Sequence, residues 1–538
     1  MDLTDRPASE GEQQAEEAPR RRSAGRGTAR SGGRAANKRR GGGGLPNQRP
    51  WGQAELTDPP IEPISADQVA AIDDAAMRIL EEIGIEFLHP DACTRLKAAG
   101  CTVEDGGTNV RMDRALVRHY VAMAPETFTI TPRNPARAIT IGGRHQAFVN
   151  VSSPPNCSDL DRGRRPGTFE DFSNLIRLSQ HFNVIHVLGG YPVEPVDVHA
   201  GVRHLHCLRE KLVLSDKVMH AYALGTERIE DGMEMARIAA GLSHEDFEAA
   251  PRMYTNINSS SPLKHDWPML DGAMRLAERG QPTIVTPFTL AGAMSPVTIA
   301  GSVVQATAEA LAAIVLLQII RPGLGVGFGS FTNNVDMRSG APAFGTPEYV
   351  RATQISGQMA RFYGLPLRAT NACAANTPDA QAAWESMNSL WACMTSHTNL
   401  VYHAAGWLEG GLCASFEKFV MDCETLQQFC AMQDPVDTSP EALAVDAIGE
   451  VGPTGHFFGA QHTQDRYETA FYSPFLSDWR NFEAWESDGA VRTPERANAM
   501  WKAIIAAFEP PPMDVAIKEE LDDFVARRVA EGGAPTDF

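Results

Sequence analysis

Amide and hydroxyl side chains stand where several apolar runs of this sequence end. Asn256 and Asn258 end one run, and Ser330, Asn333 and Asp336 follow another within the stretch "GVGFGSFTNNVDMRSG". Apart from Asp336, these groups form hydrogen bonds without exchanging protons at neutral pH. The set therefore favours binding and positioning of a ligand over acid–base chemistry.

Aromatic side chains accompany these polar groups. Phe331 lies inside the second set, and His403, Trp407 and Glu409 fall close together in "VYHAAGWLEGGL". Three more aromatic residues close other apolar runs, namely Tyr191, Tyr254 and Phe288. Aromatic faces hold a quaternary ammonium group by cation–π contact, at about 0.5–2 kcal/mol each. The aromatic residues and neutral amides therefore suit a ligand with a fixed positive charge, although they could equally be core residues.

Motifs of several other chemistries are missing from the sequence. Asp336 and Glu409 are the only obvious pair of acids for hydrolysis, and neither an H-E-x-x-H nor a G-x-S-x-G motif occurs. His204, His206 and Cys207 fall within a predicted helix, where consecutive residues point to different faces. We therefore predict a structural role for these three residues and no metal site in the protein.

The glycines at and just before the start of GVGFGSFTNNVDMRSG recur with the two-residue period of a β-strand. Glycines occupy positions 323, 325, 327 and 329, a period of two that does not match a phosphate-binding loop. No stretch combines G-x-G-x-x-G after a first strand with an acid about 20 residues later, as a dinucleotide site requires. We expect a strand whose small residues leave room beneath a ligand.

Short apolar runs alternate with amphipathic stretches along most of the chain. The eight predicted strands are 148–153, 184–190, 218–224, 252–258, 283–289, 325–331, 366–372 and 400–406. Helices are predicted to begin near Thr168, Ala200, Thr226, Asp266, Pro296, Thr346, Thr377 and Ser415, some with a capping residue before proline. This α/β alternation most simply closes into a (β/α)8 TIM barrel whose loops converge at the carboxyl ends of the strands. An open doubly wound sheet is the alternative.

Four regions are predicted. They are a disordered basic tail (1–58), an N-terminal extension of helices and short strands (59–146), the barrel (147–432) and a C-terminal cap that completes the barrel mouth (433–538). The tail holds nine Lys and Arg residues and no acid between Arg20 and Arg40. Beyond residue 50 the chain has 37 basic and 61 acidic residues, a net charge near −24 that disfavours binding of nucleic acid.

The remaining composition favours a cytoplasmic protein that is not in a membrane. The nine cysteines are odd in number and form no C-x-x-C pair, which indicates reduced thiols. The longest apolar run, from Leu311 to Ile320, is too short to span a bilayer. We expect this run to form a buried helix.

Three stretches carry a resemblance to a known family. They are "GSFTNNVDMRSGAPAFGTPE" (329–348), "VYHAAGWLEGGL" (401–412) and the segment that begins "VGPTGHFFGAQHT" (451–489). Together they resemble the trimethylamine methyltransferase family, the corrinoid-dependent MttB superfamily, from about residue 60 to residue 510. This resemblance implies a TIM barrel that moves a methyl group from a methylated amine to the cobalt of a small corrinoid protein. It implies no tightly bound cofactor on this chain.

The resemblance also narrows the expected substrate. The branch of the family that demethylates trimethylamine carries pyrrolysine, whereas this chain has only standard residues. It therefore resembles the non-pyrrolysine branch, whose activities in one-carbon metabolism include demethylation of glycine betaine. A betaine carboxylate would need an arginine or a helix N-terminus at the mouth, for which Arg338 and Arg368 are possible. A non-catalytic betaine-binding protein and trimethylamine demethylation without pyrrolysine are the alternatives.

Site residues follow from the matching motifs. We expect His403 and Asp336 to be catalytic and Trp407 and Phe331 to face the ammonium group. The other predicted binding residues are Asn256, Asn258, Ser330, Asn333 and Glu409. His456 and His462 could cover the mouth or meet the corrinoid protein, or they could be structural. The expected partners are a quaternary amine, a cognate corrinoid protein and further copies of this chain in a homo-oligomer.

Overall fold

The computed structural model describes residues 45–536. Most of the predicted basic tail, residues 1–44, lies outside the described residues. The rest of that prediction is wrong, because the chain from Leu45 onward belongs to the folded body. The Trp51 ring lies 5.1 Å from the ring of His186, Leu56 is buried, and the strand Ala54–Glu55 pairs with Gln146 and His145. Apolar burial and strand pairing thus hold this segment in place.

Eight parallel strands form the centre of the fold. They are β1 (His145–Phe148), β2 (Val187–Leu188), β3 (Val218–Met219), β4 (Thr255–Ile257), β5 (Thr283–Val285), β6 (Val326–Gly329), β7 (Leu367–Thr370) and β8 (Leu400–Tyr402). Each overlaps one of the eight predicted runs. Strands β4 to β8 pair in order and β8 pairs with β1, while β2 pairs with β3. Single bridges link Val149 to Val187 and His220 to Tyr254. The α/β prediction is confirmed, with a curled parallel sheet.

A helix follows each of these strands. The helices are α1 (Phe169–His181), α2 (Ala200–Leu214), α3 (Thr226–Ala239), α4 (Trp267–Glu278), α5 (Ile299–Ile320), α6 (Pro347–Tyr363), α7 (Ala380–Thr395) and α8 (Phe416–Met432). Side chains of Thr168, Asp266, Thr346 and Ser415 accept backbone N–H groups at the predicted starts.

Two of the predicted helix starts are wrong. Helix α5 begins after Thr298, because the carbonyl of Ser295 accepts the N–H of Gly292 in a preceding turn. Helix α7 begins after Asp379, whose carboxylate accepts the N–H groups of Gln381 and Ala382. A carboxylate at the helix N-terminus also complements the helix dipole.

Helix α5 is the central buried helix of the protein. It is long and apolar enough to cross a membrane, but 83% of its most apolar window is buried. Helices Ala66–Arg78 and Arg114–Val121 of the N-terminal region pack against it. This agrees with the buried helix predicted from its apolar run.

The N-terminal region combines helices with two small sets of strands. The helices are Ala66–Arg78, Pro90–Ala98 and Arg114–Val121, with a π-helical turn at Ile79–Ile83. One small sheet contains Ile85–Phe87, Thr102–Val103, Asn109–Arg111 and Lys264–His265. A hairpin of Thr127–Ile130 and Ile139–Gly142 joins β1 on the side away from β8.

The glycines in β6 and just before it allow close packing against neighbouring strands of the same sheet. They do not leave space for a ligand. A Cβ at Gly325 would lie 2.7 Å from the Phe128 ring of the hairpin, and one at Gly327 would lie 2.5 Å from Ile284. A Cβ at Gly329 would lie 2.6 Å from the Cα of Thr286. The predicted room beneath a ligand is therefore already filled by these neighbours.

The long helices of the C-terminal region pack on the outer helical layer. Helix Thr493–Ala506 contacts α8 and α1, and helix Val515–Ala530 contacts α2 and α3. Their buried apolar residues are Ala497, Trp501, Ile504, Leu521, Phe524 and Val525. This packing differs from the expected completion of the barrel mouth, because the apolar faces of these helices are buried against other helices.

Shorter elements complete the structure. Residues 433–492 contain the helices Pro440–Leu443, Val445–Val451, Phe457–Gly459, Gln461–Gln464 and Phe482–Ser487. Two further small sheets follow the strand ends. One contains Leu290–Ala291, Asn333–Val335 and Pro342–Ala343, and the other contains Trp407–Leu408, Cys413–Ser415, Asn156–Asp159 and Gly163–Pro166.

Candidate functional site

His403 directly follows β8 at the carboxyl end of the sheet. Its φ of 52° lies in the left-handed region, which is uncommon for a residue other than glycine. Two hydrogen bonds with residues that follow β1 hold it in this conformation. The N–H of Ala404 donates to the carbonyl of Val149 at 2.7 Å, and the N–H of Ser152 donates to Nδ1 of His403 at 3.2 Å. Backbone strain of this kind is often concentrated at functional sites.

Burial, the charge of Arg368 and the hydrogen bond from Ser152 together determine the protonation state of His403. Burial lowers the pKa of its imidazole well below the usual value, and the nearby positive charge of Arg368 lowers it further. The ring is therefore neutral at pH 7. Because Nδ1 accepts the N–H of Ser152, the proton of the neutral ring resides on Nε2.

Four aromatic rings gather beside His403, and together with its imidazole they form what we term the aromatic cluster. Its members are Phe288, Phe331, Phe344, His403 and Trp407. The centroid of the Trp407 ring lies 3.9 Å from that of His403 and 6.3 Å from that of Phe331. Phe331 also lies 4.9 Å from Phe288 and 5.8 Å from Phe344. The structure thus brings together three of the predicted site residues, His403, Phe331 and Trp407.

Arg368 lies directly beside the aromatic cluster on β7. Its guanidinium carbon is 5.6 Å from the Phe331 centroid and 4.2 Å from the Tyr402 centroid, and its side chain is buried. Nη1 donates to Oγ1 of Thr370 at 2.7 Å, whereas Nε has no hydrogen-bond partner in the part of the chain that the structure describes. Tyr402 in turn donates to the hydroxyl of Tyr254 at 2.7 Å. A positive charge is thus placed next to rings that could hold a second one.

Several buried polar atoms near the strand ends have no hydrogen-bond partner within residues 45–536. These atoms are both amide atoms of Asn333, Oδ1 of Asn371 and Nε1 of Trp407. Buried polar groups in native proteins are nearly always paired, so such atoms point to a ligand or to bound water. Asn333 and Trp407 were predicted as binding residues from the sequence, and these atoms are consistent with that role.

The structure uses the other predicted amides and hydroxyls for internal contacts. Asn256 accepts the hydroxyl hydrogen of Thr286 at 2.6 Å and donates to Asn258 at 3.3 Å. Asn258 also donates to the carbonyl of Thr286, so this chain of bonds ties β4 to β5. Both asparagines are only half-buried. The Ser330 hydroxyl instead lies 2.8 Å from that of Ser356 on helix α6, which directs it to the outer layer.

The two predicted acidic site residues lie apart from the aromatic cluster in their contacts. Asp336 is exposed and its carboxylate accepts the hydroxyl and backbone N–H of Ser339 within its own turn, which lowers its pKa. Glu409 forms an ion pair with Arg164 at 2.9 Å. A carboxylate in open solvent that stabilises its own turn is a poor candidate for a catalytic group, so the structure argues against that role for Asp336.

His456 and His462 remain outside this site. Nε2 of His462 lies 3.1 Å from the carbonyl of Glu441, and the His456 ring lies 5.9 Å from that of Phe458. All of these contacts fall within residues 433–492. The structural role predicted for His204 is supported, because its Nε2 lies 2.8 Å from Asp231, which also pairs with Arg528.

Sequence reasoning assigned no binding role to Phe344 or Asn371 and could not choose between Arg338 and Arg368. Phe344 lies within the motif "GAPAFGTPE", and Asn371 ends the predicted seventh strand. Arg368 is an arginine inside an otherwise apolar strand run, which is a usable signal because arginine is almost never fully buried without a partner. Arg338, by contrast, is exposed.

Comparison with known proteins adds independent information. Residues 30–533 match the family model of trimethylamine methyltransferase (MTTB). The chain is 37% identical over 471 residues to the glycine betaine methyltransferase of Desulfitobacterium hafniense (strain Y51), covering 87% of this chain and 98% of that protein.

Two more distant relatives are methyltransferases too. The chain is 27% identical to the proline betaine:corrinoid methyltransferase of Eubacterium limosum, over 76% of this chain and 87% of that protein. It is 26% identical to the trimethylamine methyltransferase MttB of Desulfitobacterium hafniense (strain DSM 10664 / DCB-2), over 87% and 94%. The predicted resemblance is confirmed: this chain belongs to the trimethylamine methyltransferase (MTTB) family.

Proposed function

We propose that this protein is a methyltransferase that takes a methyl group from a quaternary amine, glycine betaine or a related betaine. The methyl group passes to the Co(I) centre of a cognate corrinoid protein. Membership of the family supports the reaction, and the names of the 37% and 27% identical relatives support a betaine and a corrinoid acceptor.

The aromatic cluster with its neutral histidine is the observation that carries this proposal. Trp407 and Phe331 offer aromatic surface to an ammonium group, and His403 adds no competing charge because its ring is neutral. The leaving group of a quaternary amine is a neutral tertiary amine, so no general acid is needed. A site without a catalytic acid therefore fits this reaction.

In this reaction the protein contributes positioning and exclusion of water. Co(I) of the partner protein is the nucleophile, and the N–CH3 bond must point toward it. The buried rings of Phe331, Phe344 and Trp407 keep water from the ammonium group. Nε2 of His403, which carries the proton, and the amide of Asn333 orient the rest of the substrate.

The strand pairings support a closed (β/α)8 barrel around this site. The ladder from β4 through β8 to β1 and the pair of β2 with β3 are connected at both ends by the single bridges. On this interpretation the aromatic cluster occupies the barrel mouth, where (β/α)8 enzymes bind their substrates.

The corrinoid protein also needs a docking surface on this chain. Residues 433–492 contain His456 and His462 and expose large apolar side chains, among them Phe458, Phe471 and Trp479. Exposed apolar patches of this kind mark interaction sites. We assign this segment to contact with the corrinoid protein or with another copy of the chain, and we place the protein in the cytoplasm because all nine cysteines are free thiols.

One assay separates this function from its alternatives. The protein is mixed with chemically reduced cob(I)alamin and with glycine betaine, proline betaine, carnitine or trimethylamine, and methylcobalamin is followed by its absorbance. We expect product with a betaine and none with trimethylamine. Retained betaine binding in calorimetry without methylcobalamin from any amine would instead support a solute-binding protein. Product from trimethylamine alone would support demethylation of tertiary amines.

A further inference from the structure

Arg368 is a buried cation without a carboxylate to balance it. Its side chain is 3% exposed, and no Asp or Glu among residues 45–536 forms an ion pair with it. The one hydrogen bond of its side chain within the described part of the chain is the bond from Nη1 to Thr370. A guanidinium group has five N–H donors, so most of its capacity is unused.

The groups around Arg368 do not supply a negative charge either. The titratable side chains whose electrostatic interaction favours its charged form are Tyr402, Tyr349, Tyr254 and Cys393, which come from several elements of the sheet and from helices α6 and α7. Burial raises the pKa of each of them, to about 12 for the thiol of Cys393. All four are neutral at pH 7. Burial of an unpaired charge is costly, so such a charge is retained where it has a use.

The position of Arg368 relates it to the aromatic cluster. The guanidinium lies on the face of Phe331, the ring that is central to the cluster, and its Nε hydrogen has no acceptor among the described residues. A zwitterion whose carboxylate and ammonium are separated by one to three carbon atoms could place its carboxylate on the guanidinium and its methyl groups against the rings.

We propose that Arg368 binds the carboxylate of the substrate and thereby selects betaine-type zwitterions over amines that have no acid group. This assignment rests on the proposed function and makes the substrate class more specific. An arginine can hold a carboxylate through two parallel hydrogen bonds. A cationic amine without a carboxylate would instead bring a second positive charge close to an uncompensated guanidinium, and that repulsion weakens its binding.

The test separates the two halves of the ligand. Calorimetry measures the affinity of glycine betaine, of 3,3-dimethylbutyrate, which keeps the carboxylate but has an uncharged tert-butyl group, and of choline, which keeps the ammonium but has no carboxylate. Wild-type protein should bind glycine betaine most tightly. Arg368→Met should weaken glycine betaine and 3,3-dimethylbutyrate by about 30-fold or more, because it removes the partner of a buried charge.

Choline provides the control within the same variant. Its affinity for Arg368→Met should stay within about threefold of wild type or improve, because the repelling charge is gone. Arg338→Met, which changes the exposed arginine, should leave all three affinities unchanged. Equal loss of choline and betaine binding in folded Arg368→Met, or retained betaine affinity, would overturn the assignment.

Two further measurements cover the other outcomes. If Arg368→Met does not fold, the wild type alone decides, because binding of choline as tight as that of glycine betaine contradicts the assignment. Arg368→Lys, which keeps the charge but not the fork, should recover part of the 3,3-dimethylbutyrate affinity. Methylcobalamin formation from choline at the rate seen with glycine betaine would overturn the assignment while leaving the methyltransferase function intact. If betaine binding depends on Arg368 but no methylcobalamin forms, the assignment of Arg368 stands and the methyltransferase function is overturned.

Discussion

The backbone N–H of Ser152 donates to Nδ1 of His403 across the ends of two neighbouring strands, β1 and β8. This bond selects the tautomer with the proton on Nε2 and helps hold His403 at a left-handed φ of 52°. The imidazole thus enters the aromatic cluster as a neutral, oriented hydrogen-bond donor. The backbone of another strand orients this ring, whereas a carboxylate orients the histidine of a catalytic triad.

The neutral state of His403 predicts how the stability of the protein depends on pH. Its pKa is lowered in the folded protein relative to about 6.5 in the unfolded chain, so the unfolded state binds more protons. Stability should therefore fall as pH drops below about 6.5, by up to about 1.4 kcal/mol per pH unit for each such histidine.

Unfolding in urea at pH 7.5, 6.0 and 5.0 measures this slope. His403→Asn should reduce it, since asparagine tolerates the left-handed conformation without a titrating ring. His244→Asn, which changes an exposed histidine, is the control, and an equal slope in His403→Asn would contradict the prediction.

Trp407 is expected to contribute affinity for the ammonium group. Trp407→Leu keeps an apolar side chain but removes the aromatic face, so the dissociation constant for glycine betaine should rise about 2- to 30-fold. Trp407→Phe should lose less. Calorimetry on both variants checks this, together with Trp391→Leu, which changes an exposed tryptophan on α7. An unchanged dissociation constant in Trp407→Leu would show that the ring is only a core residue.

Asn333 distinguishes a ligand-binding amide from a structural one. Both amide atoms of its side chain are buried without a partner among residues 45–536, so Asn333→Leu removes no side-chain hydrogen bond within these residues and should leave the melting temperature unchanged or raise it. The same variant should weaken betaine binding or lower the rate of methylcobalamin formation. A large loss of thermal stability would mean that the amide stabilises the fold. Asn399→Leu is the contrast, because its amide donates to the carbonyls of Gly143 and His145 and its loss should destabilise the protein.

Asp336 should prove unnecessary for catalysis, contrary to the expectation from the sequence. Its carboxylate is exposed and accepts hydrogen bonds from its own turn. Asp336→Asn keeps one acceptor oxygen for this exposed turn and removes the charge, so kcat/KM with glycine betaine should stay within about threefold of wild type. A loss of two orders of magnitude at unchanged thermal stability would restore the catalytic role.

The order of elements could be predicted from the sequence because it depends on local patterns. Short β-branched runs separated by amphipathic stretches identified all eight strands of the curled sheet, and capping residues such as Thr346 and Ser415 marked helix starts. The starts predicted at Pro296 and Thr377 failed although each has a capping residue before proline, because the chain makes a turn up to Ser295 before α5 and Asp379 caps α7 instead. The length of the N-terminal tail failed for a related reason, because Trp51 and Leu56 are held by contacts with distant residues.

The sequence by itself determined the α/β alternation, the helix caps and the motifs that identify the family, because each is written in residues close together along the chain. Only the tertiary structure decided which of the polar and aromatic candidates meet. Successive side chains of an extended chain point to opposite faces. Phe331 therefore lies beside Arg368, whereas the adjacent Ser330 contacts helix α6. The tertiary structure also showed that Arg368 is buried without an acidic partner in the described part of the chain, since the burial and charge around a side chain depend on residues brought together from many elements.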